Sequence, residues 1–185
     1  VQVLGLLVKG AFGSRSGISY TLYYTTTFVF TGLAVAVAFH AGLFNIGGEG
    51  QAYIGGLGVA LVCLAFDDWT GWLVVPMAVI ASALFGAAWA YIPAYLQAKR
   101  GSHIVITTIM FNFIASALMI YLLVDVLIQP GQQAPRSRDF APGVWLPTAQ
   151  EIAGWFGIAI ARSPFNLASL LALLSCVFVW VFIWH

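Results

Sequence analysis

Charge is what this chain of 185 residues has least of. Lys, Arg, Asp and Glu together make up 7% of it, against roughly 25% in an average soluble domain. So few charged side chains cannot cover a folded surface with solvated groups, which excludes a soluble globular fold. The charges present nearly cancel, to a formal +1, and point to neither nucleic acid nor an acidic partner. Cysteine is equally sparse. Cys63 and Cys176 stand far apart in apolar runs, with no CxxC partner and no His at metal-ligand spacing, and read as small buried hydrophobes. HExxH, the nucleophile elbow and the phosphate-binding GxxxxGKS/T loop are missing too. An ATP-hydrolysing machine, if one drives this protein, sits on another chain.

What the sequence has is apolar length. Hydrophobic residues make up 62% of it and the mean hydropathy is +0.97. A bilayer core needs about 20 apolar residues per helix. Ile18 to Phe39, Trp72 to Ala98 and Ile104 to Ile128 reach that length, Gln51 to Phe66 is shorter, and a fifth run extends from about Phe165 to the C-terminus. Transmembrane strands would be shorter and alternate with period 2, whereas these runs are continuously apolar. The expectation is therefore an all-α, polytopic transmembrane helix bundle, with helices at about 18–40, 51–66, 72–98, 103–128 and 165–185. Val1 to Val8 reads as the tail of an earlier helix. The chain starts at Val1 and stops while still apolar, so we expect a single membrane domain that is incomplete at both ends.

The connections are legible. Gly10 to Gly17 reads as a small polar turn, Asp67 to Gly71 as a tight loop with Trp69 at the interface, and Lys99 to Ser102 as a short basic loop. Gln129 to Pro164 is the one long connection. Its stretch from Thr148 to Ala161 suits a short interfacial helix, with Trp155 and Phe156 at headgroup level. Charge does not settle the orientation. Lys99 and Arg100 mark one side as cytoplasmic, yet Arg136, Arg138 and Arg162 lie in the long loop, which alternation puts on the opposite side.

Three segments carry polar or small residues in patterns that matter. Ala41 to Gly58 (AGLFNIGGEGQAYIGGLG) is dense in glycine and contains Asn45, Glu49 and Gln51. Glycine weakens a helix by about 1 kcal/mol per residue relative to Ala, so the segment predicts a break or a close backbone approach. A break at membrane depth is tolerated only where it is buried in protein or lines a wet cavity. Glu49 is then either an intramembrane functional group or a solvated loop residue. In the fourth run, Thr108, Asn112 and Ser116 share a helix face, with Thr107 beside them. That stripe either lines a pathway or forms interhelical hydrogen bonds. In the third run Ala78, Ser82, Gly86, Ala90, Ala94 and Ala98 form a ridge of small residues at spacing four, which lets backbones approach closely. Pro93 is expected to kink that helix near its end. His40 and His103 read as interfacial side chains.

Thr31 to Gly56 (TGLAVAVAFHAGLFNIGGEGQAYIGG) and Gly101 to Ser116 (GSHIVITTIMFNFIAS) resemble two markers of one family, in the family's order. It comprises the permease subunits of bacterial ABC importers for nucleosides and simple sugars, related to the ribose and branched-chain amino acid permeases. GAFGS at Gly10 to Ser14 also fits. Many members carry Asn-Glu ahead of the VITT run where this chain has His103-Ile104, so a carboxylate role there does not transfer. The resemblance implies a fragment of a larger permease of about eight to ten helices, each of bilayer-spanning length. It places Lys99 and Arg100 in the cytoplasm and makes the long loop extracytoplasmic. It implies a multi-pass protein of the bacterial inner membrane that pairs with a second homologous permease subunit, ABC ATPase subunits and an extracytoplasmic substrate-binding lipoprotein. No cofactor is expected on this chain, because ATP is used by a partner. Asn45, Glu49, Gln51, Thr108 and Asn112 are the expected pathway or gating residues. The rivals are a secondary transporter or channel for a small polar solute, an intramembrane enzyme, for which the helices offer neither a metal set nor paired carboxylates, and a purely structural subunit.

Overall fold

The computed structural model describes residues 2–158 and 163–184. Seven α-helices follow one another among them: α1 (Gln2–Phe12), α2 (Arg15–His40), α3 (Gly48–Ala65), α4 (Gly71–Arg100), α5 (Ile104–Tyr121), α6 (Ala149–Trp155) and α7 (Ala168–Trp184). A π-helical turn, Leu122–Val126, continues α5, and a short 3-10 turn covers Pro142–Val144. The reason for helix is physical: hydrocarbon offers no partner for backbone polar groups, so each span must satisfy its own. Hydroxyls inside the spans follow the same rule. Thr25, Thr26, Thr31, Thr107, Thr108 and Ser175 each donate to the carbonyl four residues earlier, at 2.7–3.3 Å. Four spans are long and apolar enough to cross a membrane: Arg15–His40, Gly48–Ala65, Gly71–Arg100 and Ile104–Val126. The protein is a multi-pass helical membrane protein.

Several boundaries differ from the sequence expectation. The turn expected over Gly10 to Gly17 shrinks to Gly13–Ser14, because α1 and α2 extend into it from both sides. Lys99 and Arg100 are not loop residues but the last turn of α4, where cations suit the negative end of the helix dipole. The chain leaves α4 at Gly101, whose φ of 68° is left-handed. Gly101 N–H donates to Gln97 O at 3.1 Å and Ser102 N–H to Leu96 O at 3.3 Å, a paired closure that favours glycine. The glycine-rich segment divides in two. Ala41 to Gly47 is the interruption, while α3 begins at Gly48 and places Glu49 and Gln51 in its first turn. The helix of the long loop ends at Trp155 rather than continuing toward Ala161. Ala161, Arg162, Val1 and His185 lie outside the described residues.

The chain forms two compact units. In the first, α2 packs along α7 and α1 folds back on α2, with the Thr21 hydroxyl donating to Ala11 O at 3.1 Å. α6 opens with a capping box: the Thr148 hydroxyl accepts from Glu151 N–H, and the Glu151 carboxylate accepts from Thr148 N–H at 2.7 Å. Two backbone bonds, Ala149 N–H to Phe165 O (2.8 Å) and Leu167 N–H to Pro147 O (3.1 Å), tie the start of α6 to the approach to α7. The second unit, Ala41–Trp145, is the antiparallel hairpin of α3 and α4 with α5 against it. One end of this hairpin is covered by the long loop. Val144 is buried with Cys63, Val74 and Ala78, and Phe140, Val59, Val62 and Phe66 pack around them. Arg138 holds the loop there, pairing with Asp67 and donating to Leu64 O at 2.7 Å. The guanidinium thus satisfies a carbonyl that α3 leaves without an intrahelical partner at its C-terminus.

Candidate functional site

Of the four spans, α3 is the one with a substantial buried face. A third of it is buried, against none of α2 and about a tenth of α4. The buried residues of α3 are Gly50, Ile54, Gly55, Leu57, Gly58 and Cys63, so half of that face is glycine. Side chains would not fit there. A Cβ on Gly58 would lie 2.8 Å from Ala81 O, and one on Gly55 3.0 Å from Ser82 Oγ. Backbone therefore meets backbone along the α3–α4 seam, the packing that small residues permit in a membrane. The ridge expected on α4 is placed unevenly. Ala78 is buried, Ser82 faces Gly55, Gly86 lies under Gln51 O at 3.5 Å from its would-be Cβ, and Ala90 is half-buried. Ala94 and Ala98 are exposed. Ala81, which is off the ridge, makes the closest approach.

The N-terminus of α3 is where the sequence-predicted polar residues gather. Its N-cap is Gly47, which has no side chain to accept from the first-turn N–H groups. α5 supplies the acceptor instead. Asn112 Oδ1 accepts from Gly50 N–H at 2.8 Å, and Asn112 Nδ2 donates to Ile46 O at 3.0 Å. One amide thus bridges both sides of the helix start. Asn45 bends the preceding segment into an Asx turn, its Oδ1 accepting from Gly47 N–H at 2.8 Å. Gly47 is buried, and a Cβ there would meet Asn45 Oδ1 at 2.9 Å, Thr108 Cβ at 3.2 Å and Gln51 Nε2 at 3.3 Å. Asn45, Gln51 and Thr108 therefore surround Gly47, and Asn112 spans the next turn.

Glu49 stands apart from this cluster. It is exposed, with the Tyr53 hydroxyl donating to Glu49 Oε1 at 3.3 Å. A carboxylate in the first turn of α3 suits the positive end of the helix dipole. Thr108 is 1% exposed, and its hydroxyl is turned back onto Ile104 O (2.8 Å) and Val105 O (3.1 Å). It packs rather than reaching outward.

Two participants were not legible in the sequence. Trp89 of α4 closes the cluster from the other side: its indole nitrogen and Asn112 Oδ1 each lie 3.0 Å from the place of a Gly50 Cβ. Its ring meets Phe111 edge-on, with centroids 5.3 Å apart. The other is Arg138, whose partner Asp67 is 71 residues away in sequence. A Trp in an apolar run reads as an interfacial anchor, and an Arg in a polar loop as a solvated charge. Only the α3–α4 register and the return of the loop give them their partners. Beside Trp89 a cleft of about 380 Å³ is lined by Ile54, Leu84, Phe85, Ala88 and Ile92, a surface too apolar to recognise a polar solute. Among the described residues no group of three or more His, Cys, Asp or Glu is placed to hold a metal ion.

Residues 17–185 match the family described as the permease component of branched-chain amino acid transport systems. The chain is 34% identical over 177 residues to the guanosine ABC transporter permease protein NupP of Bacillus subtilis, covering 96% of this chain and 48% of that one. It is 32% identical over 174 residues to the nucleoside ABC transporter permease protein NupB of Lactococcus lactis, covering 92% and 46%. To the glucose ABC transporter permease protein TsgB13 of Haloferax volcanii it is 32% identical over 147 residues, covering 80% and 38%. The chain thus spans about half the length, or less, of the curated relatives it matches. No solved structure matches it.

Proposed function

The chain belongs to the permease-component family of branched-chain amino acid transport systems, and from that we propose that it forms part of the translocation pathway of an ATP-driven importer for nucleosides or simple sugars. The observation that carries this reading is the likeness across 96% of the chain to a guanosine permease. The substrate class follows from the names of the relatives, two for nucleosides and one for glucose. The protein works in the cell's inner membrane beside a second permease subunit. ATPase subunits supply the energy, and an extracytoplasmic binding lipoprotein delivers the solute. The long loop faces that lipoprotein, and the Lys99–Arg100 end of α4 faces the ATPases.

The start of α3 is the pathway element. A helix that begins inside the membrane presents free N–H groups and a positive dipole end, as transporter sites built on interrupted helices do. Glu49 and Gln51 are its lining groups, while Asn45, Thr108 and Asn112 set and hold its position. Alternating access requires the two end states to differ in their contacts, and a helix start held from a neighbouring helix by one amide is an element that can have two arrangements.

The test is uptake by the full-length permease with its partners in proteoliposomes. ATP-dependent, vanadate-sensitive uptake of a labelled nucleoside or sugar is expected, with Glu49→Gln and Asn112→Ala each reducing it. Uptake that resists vanadate and collapses with an uncoupler would mean a secondary transporter, and unchanged uptake in both variants would remove the site assignment.

A further inference from the structure

Trp89 Nε1 is a buried donor with no acceptor in reach among the described residues. Leaving such a group unpaired is unfavourable by the desolvation of the donor, and a Trp in an apolar wall normally places its N–H on a partner or in water. Phe in its place would keep the edge-on contact with Phe111 and avoid that cost.

The nearest polar machinery is the Asn112 bridge. Trp89 Nε1 and Asn112 Oδ1 each lie 3.0 Å from one point, the place of a Gly50 Cβ, so they are at most twice that distance apart. Asn112 Oδ1 has two lone pairs, one of which is occupied by Gly50 N–H at 2.8 Å. Gly50 keeps the space between them open, since any side chain there would fill it. Pro93, four residues beyond Trp89, has no N–H to give to the Trp89 carbonyl, so this turn of α4 lacks one of the bonds that would hold it in place.

We infer that Trp89 is a positioning residue whose indole N–H donates to Asn112 Oδ1 in the alternate conformation of the transporter, coupling movement of α4 to the α3 start. This rests on the transport reading above. In the arrangement described here the donor is idle, and in the other it is satisfied, so the bond favours the second state by the difference. For a buried donor left unpaired in one state, that difference changes the population ratio by about fivefold to more than a hundredfold.

The experiment uses the full-length permease complex with its ATPase and binding protein, labelled with 15N-indole tryptophan. Trp89 is assigned by its loss in Trp89→Phe. The prediction is an indole N–H resonance that shifts downfield on vanadate trapping in wild type and does not shift in Asn112→Leu. Trp89→Phe should assemble and melt no lower than the wild type while transporting at least about fivefold more slowly, with its KM for solute unchanged. An indole resonance identical in both states, or wild-type transport by Trp89→Phe, would overturn the inference. Absence of ATP-driven uptake by the wild-type complex would instead overturn the transport reading.

Discussion

At the scale of single residues, the glycines of α3 are distinguished by what lies opposite them. Gly58 faces the Ala81 carbonyl and Gly50 faces Asn112 and Trp89, while around Gly56 nothing lies within 4 Å. The same substitution should therefore have opposite signs along one helix. Gly58→Ala must push backbone away and should lower the melting temperature of the purified protein, whereas Gly56→Ala removes an intrinsically poor helix residue and should raise stability by up to about 1 kcal/mol. Gly86→Ala, at ordinary contact distance from Gln51 O, should be close to neutral. Asn112→Ala strands the Gly50 N–H and the Ile46 carbonyl together. Ile46 is exposed but Gly50 is buried, and a buried N–H left unpaired costs about 1–3 kcal/mol, so a clear drop in thermal stability is expected, larger than that of Ser116→Ala on the same helix face. Equal melting of the two variants would show that the amide bridge contributes nothing.

At the scale of elements, two devices outside the membrane hold loops to helices, and both depend on a carboxylate. The Arg138 side chain, chiefly through its hydrogen bond, holds the Asp67 carboxyl below its ordinary value. The backbone and hydroxyl of Thr148 do the same for Glu151. A folded-state pKa lowered in this way contributes stability that is complete above the ordinary carboxylate range of about 4. That contribution is lost as pH falls through the lower, folded value. Loop protection, measured by hydrogen exchange at Val144 and at the first turn of α6, should therefore hold at neutral pH and fall in acid. Asp67→Asn should remove the acid dependence at Val144 alone, leaving that of α6 intact. Thr148→Ala removes the cap acceptor and should cost α6 about 1 kcal/mol, seen as faster exchange at Glu151. An unaltered rate there would dismiss the cap.

At the scale of the whole molecule, the long spans are mostly unburied among the described residues, and under the transport reading proposed above their open faces meet lipid or other subunits. α2, with none of its span buried, should be shielded from membrane-soluble cysteine reagents by the assembled transporter more than α3 is. Single-cysteine variants at Phe28 and Val35 of α2, both exposed here, should label readily in the isolated subunit and more slowly in the complex. Equal labelling in the two would place those faces against lipid throughout.

The membrane class and the family were legible in the residues. Apolar length fixes helices in hydrocarbon because nothing else there satisfies the backbone, and the Thr31–Gly56 and Gly101–Ser116 markers carried the permease resemblance. The ends of elements were less legible. Gly48 opens α3 despite its poor propensity, because its turn is held by a side chain from α5 rather than by its own cap. The α4 ridge was read as one stripe of spacing four, yet the seam runs through Ala78, Ala81, Ser82 and Gly86 and leaves Ala94 bare. Which small residues touch depends on where the partner helix crosses, and that is not encoded in periodicity. Scarcity of charge excluded a soluble fold, and the length and continuity of the apolar runs decided that the chain is a helical membrane protein. That Asn112 bridges the start of α3, that Arg138 closes its far end, and that the Trp89 indole N–H lies idle beside Gly50 were decided only by the tertiary fold. Each depends on a partner distant in sequence, and only packing brings such partners together.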